Sequence, residues 1–274
     1  LALHVQKQLK KDLSIKSNGI KRNRFYVLRH TKMPSVLVET LFLTNTDPVK
    51  TMYFPKFEWP RIENPKLTFP LNEMIIDSVI KKEQVAIDEI KKSIYENPDD
   101  IAALIIEPIQ GEGGGNFFRD EFFVSLRNIC DENDIIFIMD EVQTGLGITG
   151  KWWAHQYNSI TPDIISFGKK TQVCGILVGD RINEVEKNVF RESSRINSTF
   201  GGNLTDMVRF QMVLEIIEQE KLLDNSKKLG NYLLEQLITL SNEFPAFVTN
   251  SRGLGLWAEF DLPSQTERDN LVSK

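Results

Sequence analysis

Cysteine, long apolar runs and an excess of positive charge are what this sequence has least of, and each shortage removes a class of function. The two cysteines, Cys130 and Cys174, show no framework spacing, so they are expected as free thiols in a reducing cytosol. No apolar run approaches the roughly 20 residues that cross a bilayer, so no membrane association is expected. The opening "LALHVQKQLKK" lacks the long apolar core and small-residue cleavage site of a secretory signal. Its first residue is Leu1 rather than Met, and the chain is expected to begin inside a larger product. The 33 basic residues are scattered among 38 acidic ones for a net charge of -5, so nucleic acid is not an expected partner. Two N-x-S/T sequons, at Asn197 and Asn203, have no secretory context and are read as coincidental. No metal-ligand set is assigned, and no repeat or low-complexity tract is found. What remains is a soluble, globular, cytoplasmic composition, 41% hydrophobic and 26% charged.

Along the chain, strand-like and helix-like segments alternate. "RFYVL" and "VLVETLFLT" look extended. "QVAIDEIKKSIYEN" places Val85, Ile87, Ile90 and Ile94 near the period of a surface helix, and Phe118, Phe122, Leu126, Ile129 and Cys130 mark another. "IAALIIEP", "DIIFIMDE", "DIISFG" and "VCGILVG" are short apolar runs of the kind found in sheet strands covered on both faces. This alternation predicts an α/β domain with a largely parallel or mixed sheet flanked by helices. Two long helical patterns follow, Leu204–Glu220 and Leu223–Phe244. "FVTNSRGLGLWAEFDL" then opens what reads as a second, smaller sheet.

Ligands of open α/β sheets bind outside the carboxyl ends of the strands, and three predicted strands carry polar residues there. "ALIIEPIQGEGGG" places Glu107, Gln110 and Glu112 beside glycines. "IIFIMDEVQTGLG" places Asp140 after an apolar run, followed by Gln143. "IISFGKK" places Lys169 and Lys170 side by side. A buried carboxylate, a lysine and a flexible loop on one edge would suit a cofactor with a cationic ring nitrogen and an aldehyde. Taken singly, each feature also has a plainer reading, as a helix cap, a loop or a solvated charge pair.

The linked order of "EPIQGEGG", "MDEVQTGLGITG", "TPDIISFGKK" and "NSTFGGN" resembles the class III, fold-type I pyridoxal-phosphate aminotransferases. Within that group, "FGKKTQVCG", "RINSTFGGNLTDMVR" and "LTNTDPVKTMYFPKFEWPRI" are similar to the lysine 6-aminotransferases, from about Thr44 to the end of the chain. The resemblance implies pyridoxal 5'-phosphate as cofactor and transfer of the terminal amine of L-lysine to 2-oxoglutarate, giving 2-aminoadipate 6-semialdehyde and L-glutamate. It makes Lys169 the catalytic, cofactor-linking lysine, with Lys170 leaving the strand on the other side by alternation. It makes Asp140 the partner of the pyridine nitrogen, Val142 the apolar residue beneath the ring, and Gln143 the one near the ring oxygen and the substrate. Asn197, Ser198 and Thr199 match the segment that reaches the cofactor phosphate of a neighbouring subunit, which implies a homodimer. Glu112 matches an acidic residue that pairs with an arginine in one half-reaction and releases it for 2-oxoglutarate in the other. The implied layout is a large cofactor-binding domain over 1–222, incomplete at its N-terminus, and the truncated start of a small C-terminal α/β domain over 223–274.

The family pattern breaks in three places. The phosphate cup before the first long helix is absent or reduced to Ala2, and an arginine expected of the small domain would fall beyond Lys274. An aromatic–His–Gly–Arg type motif is replaced around Pro34, Ser35, Val36 and Leu37, with matching resuming abruptly near Thr40. So sharp a boundary reads as a reading-frame slip or gene decay. Two other functions stay open: another ω-aminotransferase, acting on ornithine or 4-aminobutyrate, and an inactive relic of the family.

Overall fold

The computed structural model describes residues 60–111, 114–193 and 203–272, together with the backbone of 36–39. Five strands form one sheet in the order β1 (Val36–Glu39), β2 (Ile101–Ile106), β3 (Ile136–Asp140), β4 (Ile164–Phe167) and β5 (Gly175–Val178). The first four run parallel, and β5 returns antiparallel along β4. The sheet is therefore mixed and mostly parallel, with "VCGILVG" supplying the one reversed strand. It is reversed because the seven residues between β4 and β5 form only a tight turn, and a parallel return needs a crossover of a dozen or more. Of the two segments expected to be extended near the start, "RFYVL" lies outside the described residues, and only Val36–Glu39 of "VLVETLFLT" is described.

Helix α1 (Glu73–Glu96) begins where the Asn72 side chain accepts the Ile75 N–H at 2.9 Å, with Glu73 in the first turn to complement the helix dipole. Its buried stripe is Val79, Glu83, Ala86 and Ile90. Val85, expected inside, faces solvent at 45% exposure. The expected stripe placed Val85 and Ile87 together, yet two residues apart on a helix lie on different faces. Helix α2 (Asp120–Glu132) buries Phe122, Leu126, Ile129 and Cys130 of the predicted stripe and Phe123 besides, while Phe118 is buried just ahead of the helix. Together with Leu104, Ile106, Phe137 and Met139 of β2 and β3, these side chains form the main core. Each such side chain taken from water contributes about 1.5–3 kcal/mol.

Asp163, just before β4, fixes strand register at the amino edge of the sheet. Its carboxylate accepts the Phe137 N–H at 2.8 Å and pairs with Arg127 and Arg181. Helix α3 (Leu204–Gln219) is capped by Asn203, whose side chain accepts the Thr205 N–H at 3.0 Å. Asn203 is one of the two sequon asparagines, and its structural task is that cap. Phe210, Leu214 and Ile217 of α3 pack with Leu146 in a second core, joined by Phe167 of β4 and by Leu222 and Leu223 of α4 (Leu222–Glu243). The chain then forms an antiparallel hairpin, β6 (Thr249–Leu254) and β7 (Trp257–Asp261), and a short helix α5 (Gln265–Val272). No helix among the described residues is long and apolar enough to cross a membrane.

Candidate active site

Three parallel strands, β2, β3 and β4, end on one edge of the sheet, and the polar residues of interest lie at or just past those ends. Asp140 closes β3 and sits in register with Ser166 of β4. One of its oxygens, Oδ1, accepts the Val142 N–H and the Ser166 hydroxyl, each at 3.0 Å. Glu107 follows β2, is buried, and accepts the Gly111 N–H at 3.0 Å. Gln110 is buried as well; its side-chain oxygen accepts amide protons from Asn64 at 2.5 Å and Asn116 at 2.6 Å. These two polar residues hold the start of the glycine loop rather than point a free group into the site.

The lysine pair lies in a tight turn beyond β4. The strand ends at Phe167, Gly168 is extended, and Lys169 takes a left-handed conformation with φ 52°. A left-handed residue with a side chain costs about 1–3 kcal/mol, so contacts around this turn must hold Lys169 in that conformation. Side-chain alternation does not separate the two lysines, because neither is in the strand; the turn does. Lys169 is exposed, whereas Lys170 is half-buried. The Lys170 ammonium donates to the main-chain carbonyl of Gln143. Burial, followed by the charge of Lys169, lowers its pKa below the usual lysine value, although Glu141 works the other way.

Val142 sits beside this turn. A Cβ placed on Gly168 would lie 3.4 Å from Val142 Cγ1, so the valine packs directly against the residue preceding Lys169. The Gln143 side chain lies over Gly111. A Cβ there would come within 2.2 Å of Gln143 Oε1 and 3.0 Å of the Trp257 ring, so no larger residue fits without displacing one of them. The structure thus brings Asp140, Val142 and the turn at Gly168–Lys169 together, with the Gln143 side chain packed over Gly111. Glu112, Asn197, Ser198 and Thr199 lie outside the described residues.

Three residues at this edge drew no functional reading from the sequence. Glu141 is 1% exposed and organises the turn after β3. Its carboxylate accepts bonds from Thr144 Oγ1 (2.5 Å), Ala154 N (3.0 Å), His155 N (2.7 Å) and His155 Nδ1 (3.0 Å). Arg252, on β6 and 4% exposed, donates from Nε to the Gly115 carbonyl at 2.5 Å and pairs with Asp261 (2.8 Å) and Glu259 (3.3 Å). Glu259 in turn accepts the Gly115 N–H. Trp257, at the start of β7, completes the contact over Gly111. The hairpin therefore fastens both the glycine loop and the surroundings of Gln143. The only local signal was the acidic and aromatic content of "LWAEFDL", which does not say what it touches. Among the described residues, no three His, Cys, Asp or Glu side chains converge as metal ligands would.

The family model described as aminotransferase class-III matches residues 40–274. A second model, N-acetylmuramoyl-L-alanine amidase, matches residues 1–58. The altered stretch around Pro34–Leu37 falls within the residues matched by that second model. The chain is 49% identical over 233 residues to the L-lysine-epsilon aminotransferase of Mycobacterium bovis, covering 85% of this chain and 51% of that protein. It is 34% identical over 235 residues to the 4-aminobutyrate aminotransferase of Emericella nidulans, covering 84% and 46%. The solved lysine aminotransferase from M. tuberculosis in the internal aldimine form superposes with a TM-score of 0.84 at 42% identity, covering 99% of this chain and 63% of that one. A transaminase from the marine bacterium Virgibacillus gives 0.68 at 25% identity, covering 83% and 52%. The chain spans about half the length of the curated relatives it matches.

Proposed function

Since this chain belongs to the class-III aminotransferase family, we propose that its sheet edge holds pyridoxal 5'-phosphate and serves transfer of the terminal amine of L-lysine to 2-oxoglutarate. One observation carries the reading. Asp140 ends β3, Lys169 stands in a strained turn beyond the adjacent strand β4, and Val142 packs against the glycine between them.

The residues fit the cofactor chemically. Among the described residues, the Val142 N–H and the Ser166 hydroxyl both donate to Oδ1 of Asp140, and Oδ2 would pair with a protonated ring nitrogen. Bound there, the cofactor supplies an electron sink for the carbon that loses its proton. Asp140 keeps that sink charged. Val142 would cover one face of the ring against water. Gln143 is set to orient the ring oxygen and the amine donor. Lys169 would supply the amine that holds the cofactor, and its Nζ would move the proton of the donor's amine-bearing carbon. Glu112 is assigned to the exchange between the two substrates, alternately holding and releasing an arginine.

The lysine donor is favoured over 4-aminobutyrate by the margin in identity, 46–49% for relatives named for lysine against 34%. A homodimer is proposed, with Asn197, Ser198 and Thr199 reaching the neighbouring subunit's cofactor phosphate. Its support is an exposed apolar row on α3: Leu204, Val208, Met212 and Ile216, each four residues apart. Division into a cofactor-holding unit, 1–222, and a second unit from 223 places the hairpin that grips the glycine loop in the second. The free thiols Cys130 and Cys174 favour a cytoplasmic setting.

The test uses the chain saturated with pyridoxal phosphate, measuring cofactor absorbance and glutamate formed from 2-oxoglutarate with lysine, ornithine or 4-aminobutyrate as donor. Lys169→Ala should abolish turnover and borohydride-trapped cofactor. Asp140→Asn should still bind cofactor and lose activity by orders of magnitude. Full activity in either variant would refute the assignment.

A further inference from the structure

We propose that Lys170 is a positioning residue for Gln143, its ammonium holding the Gln143 carbonyl so that the Val142–Gln143 segment stays fixed against the turn that presents Lys169. The inference rests on the reading above, in which Gln143 lies beside the cofactor and the donor.

The turn makes adjacent lysines do different things. Left-handed residues on both sides, Lys169 at φ 52° and Gln172 at φ 61°, reverse the chain within four residues. Lys169 is left at the surface, while the Lys170 stem runs along an apolar cavity of about 290 Å³ lined by Leu146, Ile148, Val213, Ile217 and Leu222. An ammonium brought that far inside is costly unless it finds an acceptor, and the acceptor it finds is the Gln143 carbonyl.

The bond matters because of what else holds this segment. Glu141 N–H donates to the Ser166 carbonyl at 3.0 Å, and Gly145 N–H donates to the Glu141 carbonyl at 2.9 Å. Those bonds fix the two ends of 141–145. The Gln143 peptide lies between them, and its carbonyl is tied across to the next strand's turn by Lys170. With that tie the Gln143 side chain leaves in the direction that Gly111 and Trp257 leave open. Burial and the neighbouring Lys169 both lower the Lys170 pKa, and the charge of Glu141 works the other way.

Lys170→Met keeps the apolar stem and removes the donor; Lys170→Arg returns one. Four readouts separate positioning from general support: amide hydrogen exchange over 142–145 without added cofactor, melting temperature, pyridoxal phosphate affinity, and kcat against KM. For Lys170→Met we expect exchange over 142–145 to rise about tenfold, the worth of one charged hydrogen bond. Exchange in β2 and α2 should stay put. We expect kcat to fall by a similar factor with KM for the amine donor little changed, the borohydride adduct still on Lys169, and Lys170→Arg restoring most of both losses. Wild-type exchange over 142–145 in Lys170→Met overturns the proposal, and so does a rise spread evenly over the chain. Local exchange that rises while Lys169→Ala stays active sinks the role given to Lys169, and local exchange that rises in a chain forming no glutamate sinks the transamination reading; both leave the anchoring standing.

Discussion

Replacing Glu141 by Gln removes a charge with almost no change in volume, and the bonds around it fix what should follow. The carboxylate accepts four bonds, two on each oxygen: Thr144 Oγ1 and Ala154 N–H on Oε2, His155 N–H and Nδ1 on Oε1. A glutamine offers one accepting oxygen and one nitrogen that only donates. With its oxygen toward His155, the Thr144 hydroxyl can turn to accept, but the Ala154 N–H is stranded. With its oxygen toward Ala154, the imidazole can switch tautomer and accept, but the His155 N–H is stranded. Either way one buried main-chain donor loses its partner, at about 1–3 kcal/mol, and the surviving bonds lose their charge assistance. Relief of the buried charge offsets part of this, leaving a net loss of about 2–3 kcal/mol from a total typically about 5–15. Urea unfolding measures it as a lower midpoint at unchanged slope. Thr144→Val, which deletes one donor and strands none, should cost only about 1 kcal/mol. A Glu141→Gln protein within about 0.5 kcal/mol of wild type, the scatter expected of surface substitutions, would refute the claim that Glu141 organises this turn.

Thiol chemistry should split the two cysteines. Burial pushes the Cys130 thiol up to about 12, so native protein should consume one equivalent of a thiol reagent quickly at Cys174, which is exposed, and a second only after unfolding; two fast equivalents at neutral pH would show that α2 does not seal Cys130. Gly111→Ala should displace either the Gln143 amide or the Trp257 ring, lowering kcat and changing tryptophan fluorescence while the melting temperature moves little; unchanged kcat and fluorescence together would mean that the close approach at Gly111 is not kept in solution.

How much of this site could be read in advance depends on the range over which its contacts act. Asp140 was legible because a short apolar run ending in a carboxylate is a local pattern, and the strand that carries it needs only its own residues to declare itself. The helices α2, α3 and α4 were legible for the same reason, their apolar period being local. Glu141 was not. Two adjacent acids at a strand end carry no mark of which turns inward, and the partners that draw Glu141 in, Ala154 and His155, arrive 13 and 14 residues later. Arg252 and Gly115 meet across 137 residues, so no window of sequence contains the pair.

The two lysines show how an assignment can rest on a physical ground that the fold does not supply. Alternation along a strand separates neighbours by face and would set Lys169 apart from Lys170 if both lay in β4. The strand stops at Phe167, so that rule has no purchase on either residue. What separates them is a left-handed φ at Lys169, a conformation that lysine does not favour and that nothing in "FGKKTQ" announces. A chain tolerates such a residue when surrounding contacts over-determine it. Here those contacts are Val142 and Cys174 pressed on Gly168, Thr171 buried with its hydroxyl on the Val173 carbonyl at 2.6 Å, and Lys170 bonded across to Gln143. The exposed amine and the buried amine are therefore parts of one arrangement. The turn that carries Lys169 is kept in place in part by the lysine next to it, through the bond from Lys170 to the Gln143 carbonyl.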